Sequence, residues 1–195
     1  MKIRFICALV SVLAISIAPA CAQSLPVVDI LTSRHQAIEN ATGGYYTFRN
    51  IPYAEAPVGQ LRFRYPIPRM TVNRAIDDGS NGRICPQTAG PWFAQSIPLV
   101  IQTIATTCNN TSGDPPGAPP AASLPESEDC LLLDVSIPKS VWDKRASVKR
   151  PVLVWIHGGG YLQGSKETAV VPELMSKSMA NNKGGMIIVS INYRL

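Results

Sequence analysis

The chain has 195 residues, 46% of them hydrophobic and 16% charged, which is the composition of a globular protein of ordinary single-domain size. Its formal charge of +5 comes from 18 basic and 13 acidic residues. With no run of five or more Lys or Arg, that mild excess gives no electrostatic footprint for nucleic acid.

The first 22 residues are set apart. Lys2 and Arg4 form a basic start, Phe5 to Ile17 is an almost unbroken apolar run, and Ala18-Pro-Ala20-Cys21-Ala22 offers small residues for cleavage. This pattern predicts a secretory signal peptide over residues 1–22, cut after Ala22, or alternatively after Ala20. The apolar run falls short of the ~20 residues a membrane span needs, so no transmembrane segment is expected. Residues 23–195 are then the mature part, secreted and extracellular. Cys7 and Cys21 leave with the signal, and Cys85, Cys108 and Cys130 remain. In an oxidising compartment a disulfide is the first expectation for them. No CxxC pair or His cluster supports a metal, and no cofactor is expected. Because three is odd, one cysteine is free, pairs with another chain, or pairs with a residue beyond Leu195.

Val27 to Thr32 and Gly44 to Ile51 are rich in β-branched and aromatic residues and predict the strands of an N-terminal antiparallel hairpin. Pro52 to Pro68 carries four prolines and no helical period, so it predicts an extended stretch. From Asp77 to Asp129 Gly, Pro, Ser and Thr dominate, and Gly113-Asp-Pro-Pro-Gly-Ala-Pro-Pro120 is neither helix nor central strand. Within this long surface excursion Trp92 to Thr107 predicts one short amphipathic helix. A loop of that length is usually a functional lid or a disordered segment. Cys130 to Ile137 predicts a strand, followed by a loop. Pro151 to Ile156 predicts a strand covered on both faces, because five apolar residues follow one another without alternation. Val171 to Ala180 predicts a helix, and Met186 to Ile191 a second apolar strand. A strand, a crossover and a strand form a first unit of a doubly wound, mostly parallel sheet.

His157-Gly158-Gly159-Gly160-Tyr161 follows directly on the strand that ends at Ile156. Consecutive residues without a Cβ turn tightly and present bare amide N–H groups to whatever approaches. Behind a buried strand, that arrangement points to an oxyanion hole, of the HGGG type found in lipases and esterases. The chain has no Gly-x-Ser-x-Gly elbow. In this fold the serine, the acid and the histidine follow one another along the chain, so all three are expected beyond Leu195.

Four segments resemble one family, the type B carboxylesterases, which include cholinesterases, fungal lipases and neuroligins. Asn50-Ile-Pro-Tyr-Ala-Glu-Ala-Pro-Val-Gly-Gln-Leu-Arg62-Phe63 is similar to the family's GIPYAxPPxGxxRF stretch, with Asn50 in place of the usual Gly. Glu128-Asp129-Cys130-Leu-Leu-Leu-Asp134-Val resembles EDCLxLNV, with Asp134 where Asn is commoner. His157 to Ser165 resembles the oxyanion segment, and Val189 to Leu195 the strand before the elbow. The resemblance implies an α/β-hydrolase fold, incomplete in residues 23–195, with a long lid-like loop closed by a Cys85–Cys130 disulfide. Cys108 as a partner of either is the alternative pairing. It implies Gly159 and Gly160 as oxyanion donors, Gly158 as the residue that permits the turn, and His157 as a shaping residue, not a base. It also implies a buried, structural Arg62–Glu128 salt bridge. Trp92, Phe93, Ile97, Leu99, Val100 and Ile101 would line the underside of the lid or pack a small satellite core. Asn40, Asn109 and Asn110 head glycosylation sequons in a eukaryotic host.

Two functions follow from the resemblance. One is a secreted serine hydrolase acting on a small-molecule or lipid carboxylic ester. The other is a catalytically silent binding or adhesion protein of the neuroligin type. The intact glycine triplet favours the first.

Overall fold

The structure, a computed structural model, describes residues 24–88, Ser96 and residues 124–195. The expected signal peptide, the helix over Trp92 to Thr107 with its apolar cluster (of which Ser96 alone is described), Cys108, Asn109 and Asn110 lie outside the described residues.

Among the described residues the architecture is a mixed sheet in the spatial order β1-β2-β3-β5-β7-β6, with β4 paired to β2. The strands are β1 (Val27–Asp29), β2 (Ser33–Asn40), β3 (Tyr45–Pro52), β4 (Asn73–Asp77), β5 (Leu132–Pro138), β6 (Val152–Ile156) and β7 (Ile187–Ile191). Between residues 124 and 195 the helices are α1 (Lys139–Asp143) and α2 (Val171–Met179), besides short 3-10 turns. β2 serves two neighbourhoods. Its first half pairs antiparallel with β1 and parallel with β4, and its second half pairs antiparallel with β3.

The hairpin expected between residues 27–32 and 44–51 is therefore corrected. β1 ends at Asp29, the chain reverses through Leu31 at φ 73°, and β2 lies between the two predicted strands. Ser33-Arg-His-Gln-Ala-Ile-Glu-Asn40 has no apolar alternation to announce a strand, and pairing on both edges makes it one. His35 is sealed within it, 1% exposed, with Nε2 2.8 Å from Ser33 Oγ.

β3 carries a bulge between Phe48 and Ile51. Asn50, at φ 57°, occupies the extra position. The inserted residue returns Ile51 to the face of Phe48, so both enter one core with Ala37, Ile137 and Val141. Asn is the side chain that best tolerates the left-handed conformation after glycine, which accounts for Asn50 where the resembling family has Gly. α1 closes this core, and its Trp142 ring lies 5.2 Å from that of Phe48.

The other face of the sheet is covered by α2. Val171, Leu174, Met175 and Met179 recur at helical spacing and pack with Tyr45, Leu153 and Ile188, with Met175 wholly buried. Pro172 in the first turn, Glu173 near the start and Lys177 near the end suit the helix ends and dipole. α2 is the crossover between β6 and β7, which pair in parallel, as the strand–helix–strand pattern predicted.

β6 departs from its expectation. It lies at the edge of the sheet, paired with β7 alone among the described residues, and only Leu153 and Trp155 turn inward. Val152, Val154 and Ile156 are 58%, 54% and 65% exposed. An apolar run reports where a strand can be covered on both faces; coverage itself depends on elements that the run does not encode.

Cys85 and Cys130, 2% and 0% exposed, form a disulfide across a sequence separation of 45. It ties the segment after Ile84 to the chain entering β5. The Cys85→Ser/Cys130→Ser double variant is expected to lose about 4 kcal/mol of stability through the freed loop entropy. Urea titration of both proteins checks this, and a loss under about 1 kcal/mol would refute it.

Candidate functional site

The loop from His157 to Ser165 leaves the end of β6 and returns to the sheet through Lys166. His157 is 3% exposed, and its ring stacks on Tyr193 with centroids 4.2 Å apart. Tyr193 donates its hydroxyl hydrogen to the His157 carbonyl (2.7 Å), and His157 Nδ1 donates to the Gly158 carbonyl (2.9 Å). The ring is thus spent on holding the start of the loop.

Two glycines make the turn. Gly159 has φ 130° and Gly160 φ 63°, and Tyr161 follows at φ 61°. A Cβ on Gly159 would lie 1.7 Å from the Gln163 carbonyl oxygen, so this position admits glycine only. The Gly159 carbonyl accepts from Leu162 N (3.1 Å) and Gln163 N (3.2 Å). Gly158 lies outside the left-handed region and would meet nothing with a Cβ. The turn-permitting role expected of Gly158 therefore belongs to Gly159 and Gly160. The amides of these two glycines donate to no other described group. Gly158, Gly160 and Tyr161 are exposed and Gly159 half-buried. Chemically the loop offers two adjacent N–H donors that no described group uses, an arrangement suited to an anionic oxygen.

The far end of the loop folds back on its start. A Cβ on Gly164 would lie 2.4 Å from the Gly158 oxygen and 2.5 Å from His157 Nδ1. Beyond it Ser165 Oγ accepts from Glu167 N, and Lys166 plunges into the protein with a side chain 0% exposed. Its ammonium meets Asp134 at 2.9 Å and Glu167 at 2.7 Å, and its backbone N–H donates to Asn192 Oδ1 at 2.8 Å. Asp134 also accepts from Asn50 N (2.8 Å) and Arg49 Nε (3.4 Å), and Arg49 reaches Glu167 at 2.6 Å. Two cations and two carboxylates form one closed set that the sequence did not announce. The available signal was Asp134 standing where the resembling family has Asn: an added charge in an apolar strand needs a partner.

Arg62 and Glu128 pair at 2.7 Å, but their side chains are 51% and 41% exposed, so the burial expected for this bridge is corrected. An exposed pair of this kind contributes at most about 1 kcal/mol. Both line a cleft of about 590 Å³ with Phe63, Thr88, Cys130 and Arg194. Asn40 holds the turn into β3, accepting from Gly43 N and donating from Nδ2 to the Tyr45 hydroxyl at 2.8 Å. Among the described residues no group of three or more His, Cys, Asp or Glu is placed to hold a metal ion. No described helix is long and apolar enough to cross a membrane.

The mixed sheet agrees with comparison to known proteins. The Carboxylesterase family model matches residues 31–195, and the chain belongs to that family. It is 38% identical to carboxylesterase patB of Penicillium expansum, across 89% of this chain and 34% of that protein. It is 31% identical to the para-nitrobenzyl esterase of Bacillus subtilis, across 86% of this chain and 28% of that protein. Among solved structures, Aspergillus niger EstA superposes with a TM-score of 0.60 at 24% identity, over 88% of this chain and 26% of that one. The fold is that of the α/β-hydrolase esterases. The chain spans about a third of the length of the curated relatives it matches.

Burial pushes the Glu167 carboxyl up, but Lys166 and Arg49 outweigh it and hold the group below its ordinary 4.5. Burial holds the His35 imidazole below its ordinary 6.5, against an opposing pull from Asp77. In both cases the unfolded chain binds the proton more tightly than the folded one, so each contribution is present at higher pH and lost on acidification. Stability is expected to fall in two stages, first below about pH 6.5 from His35 and then below about 4.5 from Glu167. Urea midpoints from pH 8 to 3 check this, and His35→Asn should remove the first stage alone. Asp134→Asn is expected to cost about 3 kcal/mol by taking one of the two carboxylates from the buried Lys166 ammonium, and adding Lys166→Met should recover most of that loss.

Proposed function

We propose that the chain supplies the oxyanion-binding part of a secreted serine hydrolase of small-molecule or lipid carboxylic esters. The observation that carries this is the pair of unspent amides on Gly159 and Gly160, in a turn whose geometry excludes a side chain at Gly159. Family membership supports the reaction class. In the proposed reaction a serine outside these 195 residues attacks the ester carbonyl and loses its proton to a histidine. The negative charge that develops on the carbonyl oxygen is received by the two glycine N–H groups. Collapse expels the alcohol and leaves an acyl-enzyme, which water then hydrolyses. Each such donor contributes about 3–4 kcal/mol to the transition state. Secretion rests on the amino-terminal segment read above, and so does the use of Asn40, Asn109 and Asn110 as glycosylation sites.

Two measurements test this. Residues 23–195 alone are expected to give no turnover of a short-chain 4-nitrophenyl ester, and turnover abolished by a serine-directed phosphonate would overturn the placement of the nucleophile. In a polypeptide that joins these residues to a segment bearing a Gly-x-Ser-x-Gly elbow, Gly159→Ala is expected to lower kcat by about 10²- to 10³-fold, because the new Cβ displaces the turn. Unchanged kcat would overturn the oxyanion assignment. A joined, folded polypeptide with no hydrolysis at all would favour the neuroligin type of binding protein.

A further inference from the structure

Gln87 lies two residues after Cys85 and, like the buried ion set, drew no notice in the sequence. Its carboxamide makes a two-point pairing with one residue of the glycine loop. Oε1 accepts from Gly164 N at 2.7 Å, and Nε2 donates to the Gly164 carbonyl at 3.1 Å. The same Nε2 donates to the Cys85 carbonyl at 2.7 Å. Thr88 continues the contact, its N–H donating to the Leu162 carbonyl at 2.7 Å. Residues 85–88 thus run along the returning limb of the loop as a short brace. A side-chain amide presents a donor and an acceptor together, which matches a backbone N–H and C=O.

A second arm reaches the loop from the same disulfide. The Cys130 carbonyl accepts from Asn192 Nδ2 at 3.2 Å, and Asn192 Oδ1 accepts from Lys166 N at 2.8 Å. Gly164 and Lys166, on either side of Ser165, are therefore both held from one pair of bonded cysteines. The entrance of the loop is held separately, by His157 and Tyr193, and its exit also by the Lys166 ion set. Its tip carries successive left-handed residues, and Tyr161 is 80% exposed, so among the described residues no apolar packing of that side chain opposes relaxation of the strain.

We infer that Gln87 is a positioning residue which, with the Cys85–Cys130 disulfide behind it, sets the aim of the Gly159 and Gly160 amides. The inference rests on the oxyanion function proposed above. It places control of a catalytic loop in a segment of the chain some seventy positions earlier, through bonds that touch neither substrate nor nucleophile.

Gln87→Met keeps the length and the disulfide and removes every bond of the carboxamide. In the full chain, hydrogen exchange at the Leu162 and Gln163 amides, which bond to Gly159 and not to Gln87, is expected to quicken about tenfold. The Cys85→Ser/Cys130→Ser variant should show the same pattern. In the serine-bearing polypeptide, Gln87→Met is expected to lower kcat by up to about 10²-fold with KM little changed, because misplaced donors fail the transition state and not the bound ester. Exchange at Leu162 and Gln163 equal to that of the parent would overturn the inference, and so would a loosened loop with unchanged kcat. A loosened loop in a protein that hydrolyses no ester would refute the hydrolase function and leave the clamp standing, since exchange reads the clamp without catalysis.

Discussion

A fully buried ammonium is the constraint around which this part of the molecule is arranged. Lys166 has no contact with water, and its charge is tolerable only because Asp134 and Glu167 lie within 2.9 Å of it. Asp134 in turn comes from the middle of β5, and Glu167 from the turn that follows the glycine loop. The set therefore fastens the exit of the loop to the centre of the sheet at one point. Such an arrangement is a poor source of net stability, since well-packed apolar residues would serve as well. Its consequence is positional. Slippage of the loop by one residue would withdraw Lys166 from Asp134 and break the ion set that joins the loop to β5.

Two departures from the family pattern become one structural unit when seen in this light. Asn50 replaces a glycine at the β3 bulge, and its backbone N–H donates to Asp134, which replaces an asparagine. An asparagine at 134 could still accept from Asn50 N. It would offer Lys166 no charge. The substitution at 134 is explained by the buried lysine, and that at 50 by the need for a left-handed residue at the bulge. Neither is explained by its own position alone.

What the sequence revealed and what it concealed divide along physical lines. β3 and β5 were legible from their β-branched and apolar residues, α2 from helical spacing, and β7 from an almost unbroken apolar run. The glycine turn was legible because three residues without side chains are conspicuous after an apolar strand. β2 and β4 were not, since their order comes from neighbours on both edges and not from their own composition. The exposed face of β6 was misread for a related reason: Val152, Val154 and Ile156 record an affinity for cover, and the described residues place no element over them. Lys166, Arg49 and Gln87 were concealed most completely. Charged and amide side chains ordinarily face solvent, and only the distance from residue 87 to residue 164, or from 134 to 166, in the folded chain gives them meaning.

The glycine turn therefore has to be understood from both of its ends. At the entrance, His157 and Tyr193 hold the chain by stacking and two hydrogen bonds. At the exit, Gln87, Asn192 and Asp134 hold it by polar contacts that originate in three separate segments. Between these points the tip is strained, largely exposed among the described residues, and left with amides that no described group uses. Backbone donors are useful for catalysis only if they need no reorganisation when charge appears. For the oxyanion role proposed above, a strained tip with secured ends would meet that requirement and leave room for a reacting carbonyl, whereas a well-packed tip would have spent its amides on the protein itself.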